Sequence, residues 1–457
     1  MAHPRLASLA GTLVLVVGCR STVAPATRPP NPGRPSPSSA GPRPAPLVDP
    51  VAEPVRVEDF VLLALERNPA LRAAEESVSA VAARSDQVTA LPDPVLMVTP
   101  IGDLAQTAAG EVTWMAGLRQ RLPVRGQRAA RGRRVEHEVD AARARLAEAR
   151  TRVVREVRRA YWNRYHYLRA FHVVETERGL MEQFLRIAEA RYAAGSVAQE
   201  DVLRAQVEIA DLEQRAVTLR QQLFSACGQL NRLLDRDPDT PISPPGEPVD
   251  WTLEEPREAL LERARAENPA LARLRSEVAA ADEGLHLAEL ARWPDVTLGL
   301  DYAAVDDGGL APSADGQDQW SIGLALELPL RRARRRAAEE EARHAVRMAS
   351  AQLAGEEAQL AFEVHDVLAR LDAEQQRIDL FRGAILPAAR QAVEAAESGY
   401  RAGGVDFQTL VDAWRKLLEL ELALHEGRAR REQELAELEE VVGGVVRTVP
   451  VETEEQR

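Results

Sequence analysis

The residue whose type and setting best suit covalent chemistry is Cys19. It closes the run Val16-Val17-Gly18-Cys19, which follows Arg5 and an apolar stretch over residues 6–17. A basic start, a short apolar segment and a small residue before the processing point describe a secretory signal over residues 1–18. The apolar run is too short to span a bilayer comfortably. The tetrapeptide resembles a bacterial lipobox, in which the cysteine becomes the new N-terminus and carries acyl chains such as palmitate. Arg20, rather than aspartate, follows the cysteine and favours the outer membrane. A buried cysteine in an ordinary cleaved signal is the alternative. Elsewhere the reactive side chains do not converge. The eight histidines are scattered, with no pair at ligand spacing beside a carboxylate. There is no glycine-rich phosphate loop and no nucleophile motif. Two cysteines are too few for a disulfide framework and lack zinc spacing, and Cys227, among apolar residues of a helix, reads as a buried thiol. No catalysis, cofactor or metal is expected.

Composition points the same way. The net charge is −13, which disfavours nucleic acid as a partner. Alanine, glutamate, arginine and leucine dominate and aromatics make up 4%, as in long helices with narrow seams. Lys416 is the sole lysine. Residues 19–55 are rich in proline, serine, alanine and arginine; after a lipidated Cys19 they would form an extended tether.

Two long helical runs must position whatever the chain does. Over residues 331–402, Leu360, Val364, Val367, Leu371, Glu374, Ile378, Phe381, Ile385, Ala388, Ala392 and Ala395 step by four and three, the heptad seam of a coiled coil. The run ends at Gly403-Gly404, a helix C-cap signal, and an apolar helix returns over residues 407–442. Val153, Val157, Ala160, Arg164, Tyr167, Phe171, Val174, Arg178, Met181, Leu185, Ala188 and Tyr192 form the same seam earlier.

The two runs belong to an internal repeat. Asn68-Pro69-Ala70-Leu71 recurs at Asn268-Pro269-Ala270-Leu271, offset 200; Trp114 at Trp320 and Leu122-Pro123 at Leu328-Pro329, offset 206; and Tyr192-Ala193-Ala194-Gly195 at Tyr400-Arg401-Ala402-Gly403, offset 208. The expected repeats are residues 56–236 and 251–444, joined by a proline-rich connector at 237–250 and ending in a polar tail at 445–457. Each reads helix, strand pair, very long helix, glycine turn, returning helix.

The expected strands are short. In Val296-Thr297-Leu298-Gly299-Leu300-Asp301-Tyr302 and Ser321-Ile322-Gly323-Leu324-Ala325-Leu326-Glu327-Leu328, apolar residues alternate with small or charged ones. That suits a membrane barrel with lipid outside and water inside, or a half-buried soluble strand. Residues 94–100 and 114–122 are the counterparts, with polar loops over 102–111 and 306–318; Trp114 and Trp320 are expected to start the descending strands. Four strands cannot close a barrel, and open edges are not tolerated in lipid, so oligomerisation follows.

With signal, lipobox, tether, duplicated strand pair and two long hairpins, the chain resembles the TolC-type outer membrane factor family of bacterial efflux and secretion systems. The resemblance covers nearly the whole mature chain. It rests most on the paired Tyr-x-x-Gly turns, on Ile385-Leu386-Pro387 and on the strand-end Leu-Pro pairs. It implies a mainly α fold with a membrane β-barrel portion: a homotrimer with a twelve-strand barrel and an α-helical tunnel, docked on a periplasmic adaptor and its inner-membrane pump, and conducting small molecules or ions. Leu91-Pro92-Asp93-Pro94 resembles the heavy-metal RND branch. The resemblance further implies that Tyr192, Gly195, Ser196, Tyr400, Gly403 and Gly404 form the periplasmic tips that meet the adaptor. Asp201, Tyr400, Thr409 and Asp412 fall on its gate positions. An arginine of the family's latch falls at Val405, and one of two constriction acids falls at Thr409, leaving Asp412 to carry the charge. Three such aspartates around an axis would repel anions. Asp201 and Asp412 also read as ordinary acids near helix N-termini.

Arg125, Arg128, Arg131, Arg133 and Arg134 follow the first strand pair, and Arg331, Arg332, Arg334, Arg335 and Arg336 the second. They suit either anionic headgroups or a solvated helix start. A lipid-anchored periplasmic coiled-coil adaptor or scaffold stays open as the alternative function, as does a helical enzyme, though adaptors carry one hairpin and more strands.

Overall fold

The computed structural model describes residues 56–101, 106–107, 109–307 and 315–450. The expected signal, Cys19 and tether lie outside the described residues. The first repeat runs α1 (Val57–Arg67), α2 (Pro69–Ala82), α3 (Arg84–Thr89), β1 (Val95–Pro100), β2 (Gln106–Thr107), β3 (Gly110–Leu122), α4 (Gln127–Ala193) and α5 (Gln199–Leu233). The second runs β4 (Trp251–Leu253), α6 (Arg257–Glu267), α7 (Pro269–Leu290), β5 (Asp295–Asp306), β6 (Gln319–Glu327), α8 (Arg332–Leu380), a π turn (Phe381–Ile385), α9 (Leu386–Ala402), α10 (Phe407–Val442) and β7 (Thr448–Pro450). The 67 residues of α4 make a rod of roughly 100 Å at ~1.5 Å per residue. Among the described residues, no helix is long and apolar enough to cross a membrane.

The recurring Asn-Pro does the same work in each repeat. Asn68 Oδ1 accepts from the Ala70 N–H at 2.9 Å and so caps α2, while its Nδ2 donates to the Leu233 carbonyl at 3.0 Å. Asn268 caps α7 through the Ala270 N–H at 2.8 Å and donates to the Val441 carbonyl at 2.8 Å. One amide thus satisfies the start of one helix and an orphan carbonyl at the end of another. Behind it sit matching cores. The first repeat packs Phe60, Tyr161, Tyr165 and Leu230 there, and the second packs the aliphatics Leu260, Leu271, Val364, Val367 and Leu438.

The seam of the second long run holds only as far as the π turn. Leu360, Val364, Val367, Leu371, Glu374 and Ile378 are buried as the heptad predicts. Beyond Ile385 the expected positions Ala388, Ala392 and Ala395 are exposed, and Leu386, Val393, Ala396 and Tyr400 are buried instead. A π turn adds one residue to the helical repeat, so the seam continues one position later. In the first long run most seam positions are covered. Arg164 is buried and donates to the Ile242 carbonyl at 2.7 Å, whereas Tyr192 at the end of the seam is exposed. Cys227, expected to be buried, is only half-buried, one turn from the exposed Phe224.

All four long strands join one antiparallel sheet in the order β1-β3-β5-β6. Register places Leu96, Leu118, Leu300 and Ile322 in one row, and Val98, Ala116, Tyr302 and Trp320 in the next. On the opposite face the rows read Val95, Arg119, Gly299, Gly323 and Met97, Gly117, Asp301, Ser321, with Arg119 and Asp301 3.7 Å apart. One face is therefore apolar and the other largely small or charged. β3 begins at Gly110, so Trp114 lies inside the strand rather than at its start, after an irregularity in register between Val112 and Trp114. Its ring packs 5.4 Å from that of Tyr302. The expected polar loops lie partly outside the described residues. β4 pairs with β7, so the segment expected as a polar tail contains a strand.

The π turn supports a direct test. Gly383 is exposed, with nothing within 4 Å of an added Cβ. Gly383→Ala should leave stability unchanged or raise it by up to about 1 kcal/mol. Inserting an alanine after Gly383 should rotate Leu386, Val393 and Tyr400 off the seam, at a cost of several kcal/mol, because the π turn already absorbs one extra residue. Thermal unfolding followed by circular dichroism separates the two variants.

Candidate functional site

Each long hairpin turns through a left-handed glycine. Gly195 has φ 72° and Gly403 φ 80°, conformations that glycine adopts without steric cost. At the first tip the Ser196 N–H and hydroxyl both donate to the Arg191 carbonyl at 2.9 Å. At the second, the Gly403 N–H donates to the Tyr400 carbonyl at 3.0 Å and the Gly404 N–H to the Gly399 carbonyl at 2.9 Å, closing the end of α9. Gly399 has to be small, because an added Cβ would lie 2.6 Å from Val405 Cγ2. Asp406 then caps α10, accepting from the Thr409 N–H at 2.8 Å and the Thr409 hydroxyl at 2.6 Å.

Tyr400 is the centre of the site. Its side chain is 2% exposed, and its ring lies 5.3 Å from that of Phe407. Its hydroxyl donates to Asp201 Oδ2 at 3.2 Å, reaching from the second hairpin to the first. Arg191 returns the contact: its guanidinium stacks 4.6 Å from the Tyr400 ring centroid and donates to the Tyr400 carbonyl. Burial, the Asp201 charge and the hydrogen bond to it push the Tyr400 hydroxyl up to about 12, with Arg191 opposing. Further along, Trp414 Nε1 donates to Glu177 and Arg415 pairs with Glu208, again joining α10 to the first hairpin. Burial raises the Glu177 carboxyl above the usual carboxylate range, and the Trp414 bond opposes it.

The expected site residues therefore separate into two groups. Asp201 and Tyr400 meet. Tyr192, the counterpart of Tyr400, is 47% exposed. Thr409 is engaged with Asp406, and Asp412 lies exposed one turn further on, accepting from Gln408 Nε2 at 2.7 Å with Arg415 3.7 Å away. Thr409, Asp412, Lys416 and Glu419 share one exposed stripe of α10. Arg191 was not anticipated. The latch arginine that the resemblance implies would fall at Val405, and the guanidinium that reaches Tyr400 here comes from the other hairpin. Its one sequence signal is a basic residue in the last turn of α4.

Two hairpins tied at their tips and a sheet with one apolar face match a known architecture. The family model described as outer membrane efflux protein matches residues 61–236 and 260–444. The chain belongs to that family. No functionally characterised protein matched by sequence at a significant level. Solved structures share the fold. The outer membrane protein VceC of Vibrio cholerae is 22% identical, with TM-score 0.72 over 85% of this chain and 96% of its own. A membrane protein of Pseudomonas aeruginosa is 21% identical, with TM-score 0.74 over 85% and 90%. The open state of the MtrE outer membrane channel of Neisseria gonorrhoeae is 20% identical, with TM-score 0.70 over 85% and 89%. This efflux protein is an outer-membrane exit duct, and its family and fold are those of channels rather than of enzymes.

Because the folded pKa of Tyr400 is raised above the unfolded value of about 10, its burial stabilises the tip below pH ~10. That contribution is lost as pH rises toward about 12. The tyrosinate absorbance difference between the wild type and Tyr400→Phe should stay near zero to about pH 10 and then develop toward pH 12. A difference already half-developed at pH 10 would mean that Tyr400 is solvated.

Proposed function

We propose that three copies of this efflux protein assemble into a continuous duct, a twelve-strand barrel in the outer membrane followed by a helical tunnel in the periplasm. The observation that carries this reading is the open sheet. β1 and β6 are edge strands, and Leu96, Val98, Ile322 and Leu324 on its apolar face are 62–73% exposed. The apolar face suits contact with lipid, the open edges are not tolerated there until they are paired, and four strands from each of three copies suffice for closure. A second set of uncovered apolar residues supports the same assembly. Leu203, Val207, Val217 and Phe224 on α5 lie on one heptad stripe and are 51–65% exposed, as are Met348 and Phe362 two heptads apart on α8 at 61% and 59%. A neighbouring copy's helices would cover them.

In this reading the tips at Tyr192, Gly195, Ser196, Gly403 and Gly404 meet a periplasmic adaptor bound to an inner-membrane pump, in efflux or type I secretion. The Asp201–Tyr400–Arg191 contact holds the hairpins together near the closed end. The exposed stripe bearing Thr409 and Asp412 faces the lumen, where Asp412 gives a preference for cations. Cys19 carries lipid. A lipid-anchored scaffold would leave the apolar sheet face without a purpose.

Two measurements test the proposal. Val207→Glu with Val217→Glu should convert trimers in detergent to monomers, read by native mass spectrometry, with helix content unchanged. Single-channel recording in planar bilayers should show discrete, cation-preferring openings, with the preference reduced in Asp412→Ala. Openings indifferent to that change would place the constriction elsewhere. A folded protein that neither trimerises nor conducts would favour the scaffold.

A further inference from the structure

The two arginine clusters, alike in sequence, are used differently in the fold. In the first, Arg128 Nε donates to the Thr89 carbonyl at 2.6 Å, Arg133 pairs with Glu283 at 2.8 Å and Arg134 with Glu138 at 3.2 Å. These arginines tie α4 to α3 and α7 and support the helix itself. In the second cluster, Arg331, Arg332, Arg334 and Arg336 are exposed, and none forms an ion pair among the described residues. The nearby carboxylate of Glu339 is already held by Arg292 at 2.7 Å, with Arg343 at 3.5 Å. Four unneutralised guanidinium groups within six residues repel one another, and the first turn of α8 holds no acidic residue to offset them. The positive end of the helix macrodipole adds to the repulsion, so helix stability does not account for the cluster.

Its position gives the missing counter-charge. The apolar column of β6, Ile322, Leu324 and Leu326, continues through Leu328 and Leu330, 60% and 79% exposed, directly into Arg331. Trp320 stands at the opposite end of that column, 71% exposed. From Trp320 to Leu328 is roughly 26 Å along an extended chain at ~3.3 Å per residue, or about 20 Å of height at a strand tilt of ~40°. That approaches the ~25 Å apolar band of a membrane barrel. With the aromatic ring at one boundary, the arginines fall at the other, where long basic side chains reach lipid phosphates.

We infer that Arg331, Arg332, Arg334 and Arg336 form a docking surface for anionic phospholipid headgroups of the leaflet on the helical side of the barrel. Guanidinium groups bind phosphodiester oxygens through paired N–H donors, while Leu328 and Leu330 lie against the acyl chains. The inference rests on the barrel reading above.

The test uses the intact protein in bilayers of equal phosphatidylglycerol and phosphatidylcholine, with retained lipid counted by native mass spectrometry. The wild type should retain phosphatidylglycerol about fivefold or more over phosphatidylcholine, the preference expected when even one arginine engages. The combined variant Arg331→Gln, Arg332→Gln, Arg334→Gln, Arg336→Gln should lose that preference. A control with glutamine at the exposed Arg159, Arg186, Arg257 and Arg265 should keep it. Equal retention by wild type and variant would overturn the inference. So would full displacement of the lipid by millimolar inorganic phosphate, which would indicate a phosphate site, or dissociation of the variant into monomers, which would assign the cluster to contacts between copies. Channel conductance of the variant distinguishes the two readings: a conducting variant without lipid preference leaves the duct intact, whereas a wild type that never inserts as a barrel removes both.

Discussion

A seam between long helices buries the same face only while the residue count stays in step with the helical repeat. In the second hairpin that step is changed once, at Phe381–Ile385, where a π turn adds one residue. Everything beyond it depends on the change. Leu386, Val393 and Ala396 enter the core in place of their neighbours, and Tyr400 arrives buried at the tip. Only there can its hydroxyl reach Asp201 and its ring lie under Arg191. Its counterpart Tyr192 stands on an unshifted seam and nonetheless lies exposed.

The same chain shows how a duplicated unit diverges. Asn68 and Asn268 perform one task twice, because capping a helix and closing another's end is local geometry that a short motif specifies completely. The glycine tips also repeat, since a left-handed turn needs only the absence of a Cβ. The arginine clusters diverge because pairing depends on what the neighbouring helix presents. α7 offers Glu283 to the first, while Glu339, on the same helix as the second, is held by Arg292.

The sheet links the fold to the function. Its apolar rows run across four strands in register, and its edges are unpaired within the chain. An arrangement that would aggregate in water is what a membrane barrel divided among copies requires. The helical rods likewise leave apolar stripes uncovered on α5 and α8.

Much of this was legible in the residues alone. Four landmarks in constant order defined two repeats, heptad spacing defined the rods, and period-two alternation assigned the sheet's apolar face, since each is a local pattern tied to a backbone geometry. The family followed from their combination. What the tertiary structure alone decided is where chains of contact meet. The π turn leaves no compositional mark strong enough to place it, because one inserted residue alters phase rather than residue type. Arg191 was invisible as a partner of Tyr400 because the two are joined by the packing of two hairpins, not by spacing. Pairing among the arginines was likewise undecided, since charge is written in the sequence but its counter-charge is set by the fold.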